Sequence, residues 1–465
     1  MRLHFELDLG LNMTTATCHS FGWLNTIERR PPLRRTHFTR FAHGLKSTLE
    51  RERLTGLARR LGQCRRLRDV TPQRLVCSLL EALGSRRVET VADIQRAFNA
   101  QTGLGTRYKA LYNQLAKPAF PRFMRAVYQE LLANLSQNVL RPMAGSALST
   151  FEDVVIQDGS SFAVHDALAR TFGGRFTKIR PAAVEVHTFL SVFRDQVLRA
   201  QVAADKEAEG RFLPPPAALR GKLWLADRGY ESLDYWERVD HRGGFFIVRG
   251  KKTLNPHVIR VRGLGRSLRP REGQRLHDVL PRLPRRCLDL VVEFRSFRDK
   301  PLRLRMVLLW LPARRCFLVL VTNVPRRRMA ARQVLGVYRL RWQVELMFKE
   351  WKSYANLHAF VSRSPTLVEG PIWASLCAAA LKRSVAHACQ RAGHAVPIST
   401  RIVAMCGAFI LPGLLRCALR AFRRLEAVVT KVFRYLWENA VRAHPQRDRL
   451  RGRLKWGLQC VGITA

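Results

Sequence analysis

The clearest pattern of apolar and polar positions runs from Tyr338 to Lys352 (YRLRWQVELMFKEWK) and predicts a helix. At about 100° per residue, one face of this helix collects only apolar side chains: Val337, Leu340, Val344, Met347, Phe348 and Trp351. The flank of that face, at spacings of three, four and seven, carries Tyr338, Arg341, Glu345 and Lys352. The remaining polar positions, expected to point toward water, are Arg339, Gln343 and Glu350. An acid and two cations therefore lie at the rim of a buried face, although a pairing of Arg341 with Glu345 is also typical of an ordinary surface helix.

Two apolar runs further upstream predict strands that each end in an aspartate. Val154 to Ile156 leads into Gln-Asp-Gly-Ser at Asp158, and Leu223 to Ala226 leads into Asp-Arg-Gly-Tyr at Asp227. A single aspartate at a strand end is usually a turn former. Two of them, each followed by a glycine-containing turn, favour a shared site at the rim of one sheet.

The rest of the chain divides by its periodicity. Helical patterns dominate from Phe38 to about Leu140 and again after Val368, whereas strand-like runs with Pro, Gly and Arg fill the stretch between Gly250 and Pro325. We predict a helical DNA-binding region at 1–150 and a catalytic domain formed by 151–249 and 326–365. A β-rich insertion is expected at 250–325, and a helical region for dimerisation or DNA binding at 366–465.

The composition indicates a polyanionic partner. The 465 residues include 81 Lys and Arg against 35 Asp and Glu, a net charge of +46. So large an excess favours nucleic acid first and an anionic membrane surface second, although an arginine-rich codon usage would give the same excess. The ten cysteines are scattered without zinc spacing, and we see no signal peptide or membrane-spanning run. We therefore expect a cytoplasmic protein.

The two aspartates and Glu345 together predict a metal-dependent chemistry. Three carboxylates cannot sit together ionised without a cation, because like charges drive protonation. Two hard divalent ions with oxygen ligands solve this problem and suit phosphoryl transfer, in which one ion activates the attacking hydroxyl and the other stabilises the leaving oxygen. Arg341 and Lys352 would offset the charge of a phosphate.

These motifs resemble those of insertion-sequence DDE transposases of the IS-four group. The Y-x2-R-x3-E-x6-K signature is met by Tyr338, Arg341, Glu345 and Lys352, and the Q-D-G-S and A-D-R-G-Y elements match the two aspartate motifs. The resemblance implies an α/β fold: a ribonuclease H-like mixed sheet flanked by helices, interrupted by a β-rich insertion, with all-helical terminal regions. It covers about residues 153–352.

The resemblance also implies residue roles. Asp158, Asp227 and Glu345 would hold two Mg²⁺ or Mn²⁺ ions, and Tyr338, Arg341 and Lys352 would contact phosphates at the transposon end. The reaction would be cut-and-paste transposition at terminal inverted repeats, through strand cleavage, hairpin formation and opening, and strand transfer into target DNA. Hairpin formation would need an aromatic side chain against a flipped base, for which the sequence offers Phe317 and Trp310. Both residues also suit a hydrophobic core.

The expected partners are double-stranded DNA, both transposon end and target, and a second copy of the chain in a homodimeric synaptic complex. The expected location is the bacterial cytoplasm, in association with the nucleoid. The alternative is a catalytically silent, DNA-binding derivative of a transposase, against which the three intact acids argue. A membrane-surface protein would need an amphipathic lysine-rich helix, which we do not find in the sequence.

Overall fold

The computed structural model describes residues 35–262, 274–295, 301–358, 362–393, 397–442 and 458–461. Its strands are β1 (Leu140–Pro142), β2 (Val154–Ala163), β3 (Ala183–Ser191), β4 (Gln196–Ala204), β5 (Leu223–Ala226), β6 (Phe245–Arg249), β7 (His257–Arg262), β8 (Cys287–Arg295), β9 (Pro301–Leu311), β10 (Cys316–Thr322) and β11 (Leu458–Cys460). Nine of them form one mixed sheet in the order β4-β3-β2-β5-β6-β10-β9-β8-β7, and β1 pairs with β11 separately.

The first five strands of the large sheet provide the frame of the site. Strands β2, β3 and β4 are antiparallel neighbours, and β5 and β6 run parallel to β2. Strand β5 (Leu-Trp-Leu-Ala) is buried throughout, as expected of a central strand covered on both faces. Its Trp224 donates a 3.1 Å hydrogen bond from Nε1 to Gln157 Oε1 of β2. The mixed sheet expected from the resemblance is confirmed.

The predicted β-rich insertion extends this same sheet. Strands β7, β8, β9 and β10 are antiparallel, and β10 pairs with β6, so that Leu320 lies opposite Arg249. One short helix, α8 (Leu276–Val279), interrupts the strands. The insertion and the catalytic strands thus share one set of backbone hydrogen bonds. The domain boundaries given above stay a prediction, and parts of them (1–34, 263–273, 296–300, 359–361, 394–396, 443–457 and 462–465) lie outside the described residues.

Helices cover the sheet and form the regions on either side of it in the chain. The first set is α1 (Arg35–Leu49), α2 (Arg51–Arg60), α3 (Pro72–Ser85), α4 (Val91–Thr102), α5 (Tyr108–Leu115) and α6 (Phe120–Leu135). The others are α7 (Leu233–His241), α9 (Ala331–Tyr338), α10 (Trp342–Tyr354), α11 (Pro365–Arg391), α12 (Thr400–Met405), α13 (Gly407–Arg420) and α14 (Leu425–Asn439).

The two helical regions pack against each other, although more than 200 residues separate them in the chain. Helix α11 contacts α3 and α6, and α13 contacts α3. The approach of α13 to α3 needs a glycine, because a Cβ atom on Gly407 would lie 2.0 Å from the Gly84 carbonyl oxygen. Helix α11 is buried around most of its circumference, which explains its apolar sequence. None of the helices that the structure describes is long and apolar enough to cross a membrane.

Candidate active site

The segment from 331 to 354 carries the signature residues on two helices. Helix α9 ends at Tyr338, a 3-10 turn covers Arg339–Arg341, and α10 begins at Trp342, so the predicted single helix has a tight turn near its start. The apolar face is buried as predicted. The expectation that Glu350 points toward water is wrong: this residue is 9% exposed and pairs with Arg383 of α11. Helix α10 has a second neighbour on that side, which a single buried face does not anticipate.

Arg341 joins two of the three predicted acids. Its Nη1 lies 2.7 Å from Asp158 Oδ2, and its Nη2 lies 2.6 Å from Glu345 Oε1. Asp158 is in the middle of β2, where only 19% of its side chain is exposed, and Glu345 is on the first turn of α10. Arg341 thus binds an acid 183 positions earlier in the chain and a second acid on its own helical segment. The i, i+4 pairing of Arg341 with Glu345 is therefore part of a larger arrangement.

The third acid, Asp227, lies at the carboxyl end of β5 and interacts with two side chains. The Tyr338 hydroxyl donates to Asp227 Oδ1 at 3.4 Å, and Arg249 Nη1, from the end of β6, lies 3.7 Å from the same oxygen. Because β2, β5 and β6 are parallel, their carboxyl ends meet at one edge of the sheet. Sequence reasoning missed Arg249, although its place at the end of a predicted strand was a usable signal.

Lys352, the last signature residue, contacts β2 at a point three residues after Asp158. Its Nζ donates to the carbonyl oxygen of Ser161 at 3.4 Å. The cations Arg249, Arg341 and Lys352 are therefore distributed along the site next to the acids. Such a row of cations suits a phosphate backbone that crosses the carboxylates.

The pKa of Asp158 is raised. Burial is the main cause and the nearby Asp227 and Glu345 add to it, so that the pKa of Asp158 is about 7 although Arg341 and the Gly159 backbone N–H oppose the shift. A cation bound beside these acids would favour the ionised form of Asp158. Oxygen ligands of this kind are what Mg²⁺ and Mn²⁺ prefer, so the donor set fits such a cation. Within the described residues, however, no three His, Cys, Asp or Glu side chains already form a metal-binding group.

A second layer of acids lies directly behind the two aspartate motifs. A Cβ atom on Gly159 would lie 2.2 Å from Glu185 Oε1, and one on Gly229 would lie 1.5 Å from Glu209 Oε2. A side chain at either motif glycine would therefore have to displace a glutamate. Arg175 connects the two glutamates, with Nη2 3.1 Å from Glu185 Oε2 and Nη1 3.6 Å from Glu209 Oε1. The sequence signal was the glycine that follows each aspartate.

His187 is a buried strand residue. It lies in β3, where its ring stacks on Phe212 at 3.7 Å between centroids. Burial and the neighbouring Arg175 lower the pKa of His187 to about 4, against the opposing effect of Asp205. The imidazole is therefore neutral at pH 7.

The two aromatic candidates, Trp310 and Phe317, face each other across the β9–β10 hairpin. Their ring centroids are 5.0 Å apart in an edge-to-face contact, and the Arg285 guanidinium lies 5.0 Å from the Trp310 ring centroid. Leu320 of β10 pairs with Arg249, the last residue of β6, and β10 extends beyond this pair. Phe317 is three residues further along β10, at a distance of about 10 Å. It therefore lies toward the edge of the sheet where β5 ends and Asp227 follows. Both side chains are partly buried. A stacking role for either residue stays a prediction.

Comparison with known proteins gives a family match over half of the chain. The model described as "Transposase DDE domain" matches residues 149–381. A transposase for insertion sequence element IS231E from Bacillus thuringiensis subsp. finitimus is 25% identical over 377 residues, 73% of this chain and 78% of the relative. A transposase for insertion sequence element IS1151 from Clostridium perfringens is 21% identical over 299 residues, 55% and 63% of the two chains. A solved piggyBac transposase synaptic complex with hairpin DNA has a TM-score of 0.43 at 11% identity, over 85% and 84% of the two chains.

Proposed function

This chain belongs to the family of transposases with a DDE domain, and from this premise we propose that it excises an insertion sequence at its terminal inverted repeats and joins it to target DNA. The observation that carries the proposal is the Arg341 guanidinium bound to both Asp158 and Glu345, next to Asp227. Three motifs remote in the chain meet there, at the edge of a sheet and among cations. Phosphoryl transfer between DNA strands needs acids and cations in this arrangement.

The acids and the cations have different tasks in this proposal. Asp158, Asp227 and Glu345 hold Mg²⁺ or Mn²⁺, and two such ions would supply activation of the attacking oxygen and stabilisation of the leaving oxygen. Arg341 exchanges the carboxylates for a DNA phosphate, which its planar fork binds with two parallel hydrogen bonds. The Tyr338 hydroxyl donates a hydrogen bond to a phosphate or to Asp227. Lys352 binds the DNA backbone beside a later part of β2.

Double-stranded DNA, both the transposon end and the target, is the partner that the charge of +46 supports. We also propose a homodimer, because excision must hold two ends of the element together. Cleavage, hairpin formation, hairpin opening and strand transfer would then take place at one set of acids, in the bacterial cytoplasm at the nucleoid.

A second candidate function has one observation in its favour. The Arg341 guanidinium lies between Asp158 and Glu345, two of the acids that would hold a cation. A DNA-binding derivative without cleavage activity would keep this arrangement permanently. The first candidate requires that the arginine leaves the two acids when DNA and cation bind.

A cleavage assay separates the two candidates. Its substrate is a duplex taken from the genomic DNA that flanks the gene, where the inverted repeats of an insertion sequence would lie. The unaltered protein should cut this duplex in Mg²⁺ or Mn²⁺, and Asp158→Asn, Asp227→Asn and Glu345→Gln should each lower the rate at least about 100-fold. The matched control is Asp234→Asn, a half-exposed acid of α7 paired with Arg238, which should cut normally.

The outcomes of this assay test both the site assignment and the choice between the two candidate functions. Cleavage by Asp227→Asn at the unaltered rate would refute the site assignment. Binding without cleavage in either cation, by all of the proteins, would support the silent derivative.

A further inference from the structure

A short hairpin outside the predicted site projects from the sheet next to it. Residues 174–181, here called the finger, are closed at their base by the Gly174 N–H, which donates to the Pro181 carbonyl at 2.9 Å, and by the Gly173–Ala182 bridge. At the tip, the backbone N–H groups of Ile179 and Arg180 both donate to the Phe176 carbonyl, at 3.0 and 2.7 Å. A Cβ atom on Gly174 would lie 2.0 Å from the Arg180 carbonyl oxygen, so this closure requires glycine.

The base of the finger is fastened to the acids behind the active site. The Arg175 backbone N–H donates to Asp205 Oδ2 at 2.9 Å, and its guanidinium pairs with Glu185 and Glu209. Glu185 in turn fills the space beside Gly159, the residue that follows Asp158. Two side chains therefore connect the finger to the carboxylate of the sheet edge. These contacts fix the base of the finger to the strands that carry the acids.

The tip presents large apolar side chains to solvent. Phe176 is 64% exposed and Ile179 is 82% exposed, the highest value among the exposed large apolar residues that the structure describes. Leaving both side chains in contact with water is unfavourable unless a partner covers them. Exposed apolar groups of this kind mark interaction sites. The finger therefore has the form of a contact element.

The charges around the tip define the class of partner. Arg170, Lys178 and Arg180 are all exposed, and no Asp or Glu occurs between Asp166 and Glu185. Apolar side chains flanked by cations are how architectural proteins enter DNA: the cations bind phosphates, and the apolar group wedges between base steps. A protein partner with an apolar surface would not require three cations around two apolar side chains.

We propose that Phe176 and Ile179 insert into the DNA duplex next to the cleavage point and unstack its bases, while Lys178 and Arg180 hold the adjoining phosphates. The inference rests on the proposed function, because it needs DNA on the acids. It adds a distortion of the duplex that the acids themselves do not produce. Unstacking a base step frees the backbone to turn toward the carboxylates.

Permanganate footprinting tests the proposal, because permanganate oxidises thymines that have lost their stacking. The probe is the flanking genomic duplex of the cleavage assay, bound to full-length Asp158→Asn protein so that no cutting interferes. We expect thymines near the cleavage point to become reactive with this protein. Adding Phe176→Ala and Ile179→Ala should abolish the reactivity and weaken binding about ten-fold. The matched control adds Phe409→Ala and Met405→Ala, which remove two exposed apolar side chains of α12 and α13, and it should keep the reactivity.

A second pair of substitutions separates the wedge from the cations. Lys178→Ala with Arg180→Ala should weaken binding at all salt concentrations and lower the slope of log affinity against log salt by about two. The Phe176 and Ile179 variant should leave that slope unchanged.

The proposed function and the inference fail in different ways. Absence of duplex binding by the unaltered and Asp158→Asn proteins would refute the proposed function and the wedge together. Binding with thymine reactivity that survives in the Phe176 and Ile179 variant would refute the wedge alone. Reactivity that disappears instead in a Trp310→Ala and Phe317→Ala variant would assign the apolar contact to the β9–β10 hairpin and would also overturn the inference.

Discussion

Replacing Arg383 by Met should destabilise the fold strongly, because this arginine holds α10 against the sheet. Arg383 lies on α11 and is 5% exposed. Its Nη2 is 2.7 Å from Asp195 Oδ1, its Nη1 is 3.4 Å from Glu350 Oε2, and the Asp195 carboxylate also lies 3.2 Å from His387 Nε2. Asp195 belongs to the β3–β4 turn, where its φ of 50° places it in the left-handed region. One guanidinium thus joins the sheet, α10 and α11.

The expected loss in the free energy of unfolding follows from the burial of the charged groups around Arg383. Removal of one partner from a buried ion pair costs about 3–5 kcal/mol, because the remaining charge has lost both its hydration and its counter-ion. The Met side chain recovers part of the packing of the arginine stem. We therefore expect the free energy of unfolding to fall by about 3–4 kcal/mol. Adding Asp195→Asn to Arg383→Met should recover about 1–2 kcal/mol, since one buried charge is then absent.

Urea denaturation at pH 7, followed by tryptophan fluorescence, measures these changes. The matched control is Arg303→Met, because Arg303 also pairs with a glutamate, Glu293, but is mostly exposed. Its loss should cost less than about 1 kcal/mol. A similar cost for the two arginine substitutions would refute the reasoning, as would the absence of any recovery in the Asp195→Asn and Arg383→Met double variant.

Three further predictions concern other parts of the structure. Arg341→Met removes the guanidinium that competes with a metal ion for Asp158 and Glu345. Calorimetry should therefore show Mn²⁺ binding about ten-fold tighter than in the unaltered protein. Weaker binding would contradict the arrangement. Gly159→Ala would place a Cβ 2.2 Å from Glu185 Oε1 and should cost about 1–3 kcal/mol in thermal unfolding, part of which Glu185→Ala should restore if that contact is the cause. Burial lowers the pKa of Lys382 from 10.5 to about 8, and the nearby Glu350 opposes this shift. Between pH 8 and 10.5 the lysine is therefore protonated in the unfolded chain but neutral in the folded protein. The free energy of unfolding should rise with pH over this range. Lys382→Met should remove that rise in urea titrations, and an unchanged pH slope would count against it.

The sequence predicted the parts of the site that local patterns determine. Asp158 and Asp227 both follow apolar runs that form strands, and Asp227 comes directly after the end of β5, as predicted. The expectation that a strand ends at Asp158 is wrong, because β2 continues to Ala163 in its pairing with β3. The rim position of Arg341 and Glu345 follows from helical spacing. Strands β7 to β10 also lie in the stretch between Gly250 and Pro325 where the sequence shows strand-like runs, because alternation of apolar and polar residues reports burial directly.

The contacts between remote segments could not be predicted from such patterns. Helical periodicity assumes one buried face for α10, so it assigned Glu350 to water, whereas α11 covers a second face. Nothing in the local sequence of Arg383 distinguishes it from the many exposed arginines of this chain. Similarly, the place of Glu185 beside Gly159 depends on the register between β2 and β3, which the sequence of either strand does not give.

The geometry of the three acids therefore depends on residues that no motif contains. Glu345 and Glu350 are on one helix, and Arg383 joins that helix to Asp195, in the turn that connects β3 to β4. Strand β3 pairs with β2, which carries Asp158, and Glu185 of β3 fills the space beside Gly159. Lys352 of α10 also donates to the Ser161 carbonyl oxygen of β2, so α10 has contacts to this part of the sheet besides the Arg341 bridge. If Arg341 leaves the two acids for a phosphate, as proposed, we expect the buried Arg383 network to help keep Asp158 and Glu345 close together, because it does not take part in that exchange.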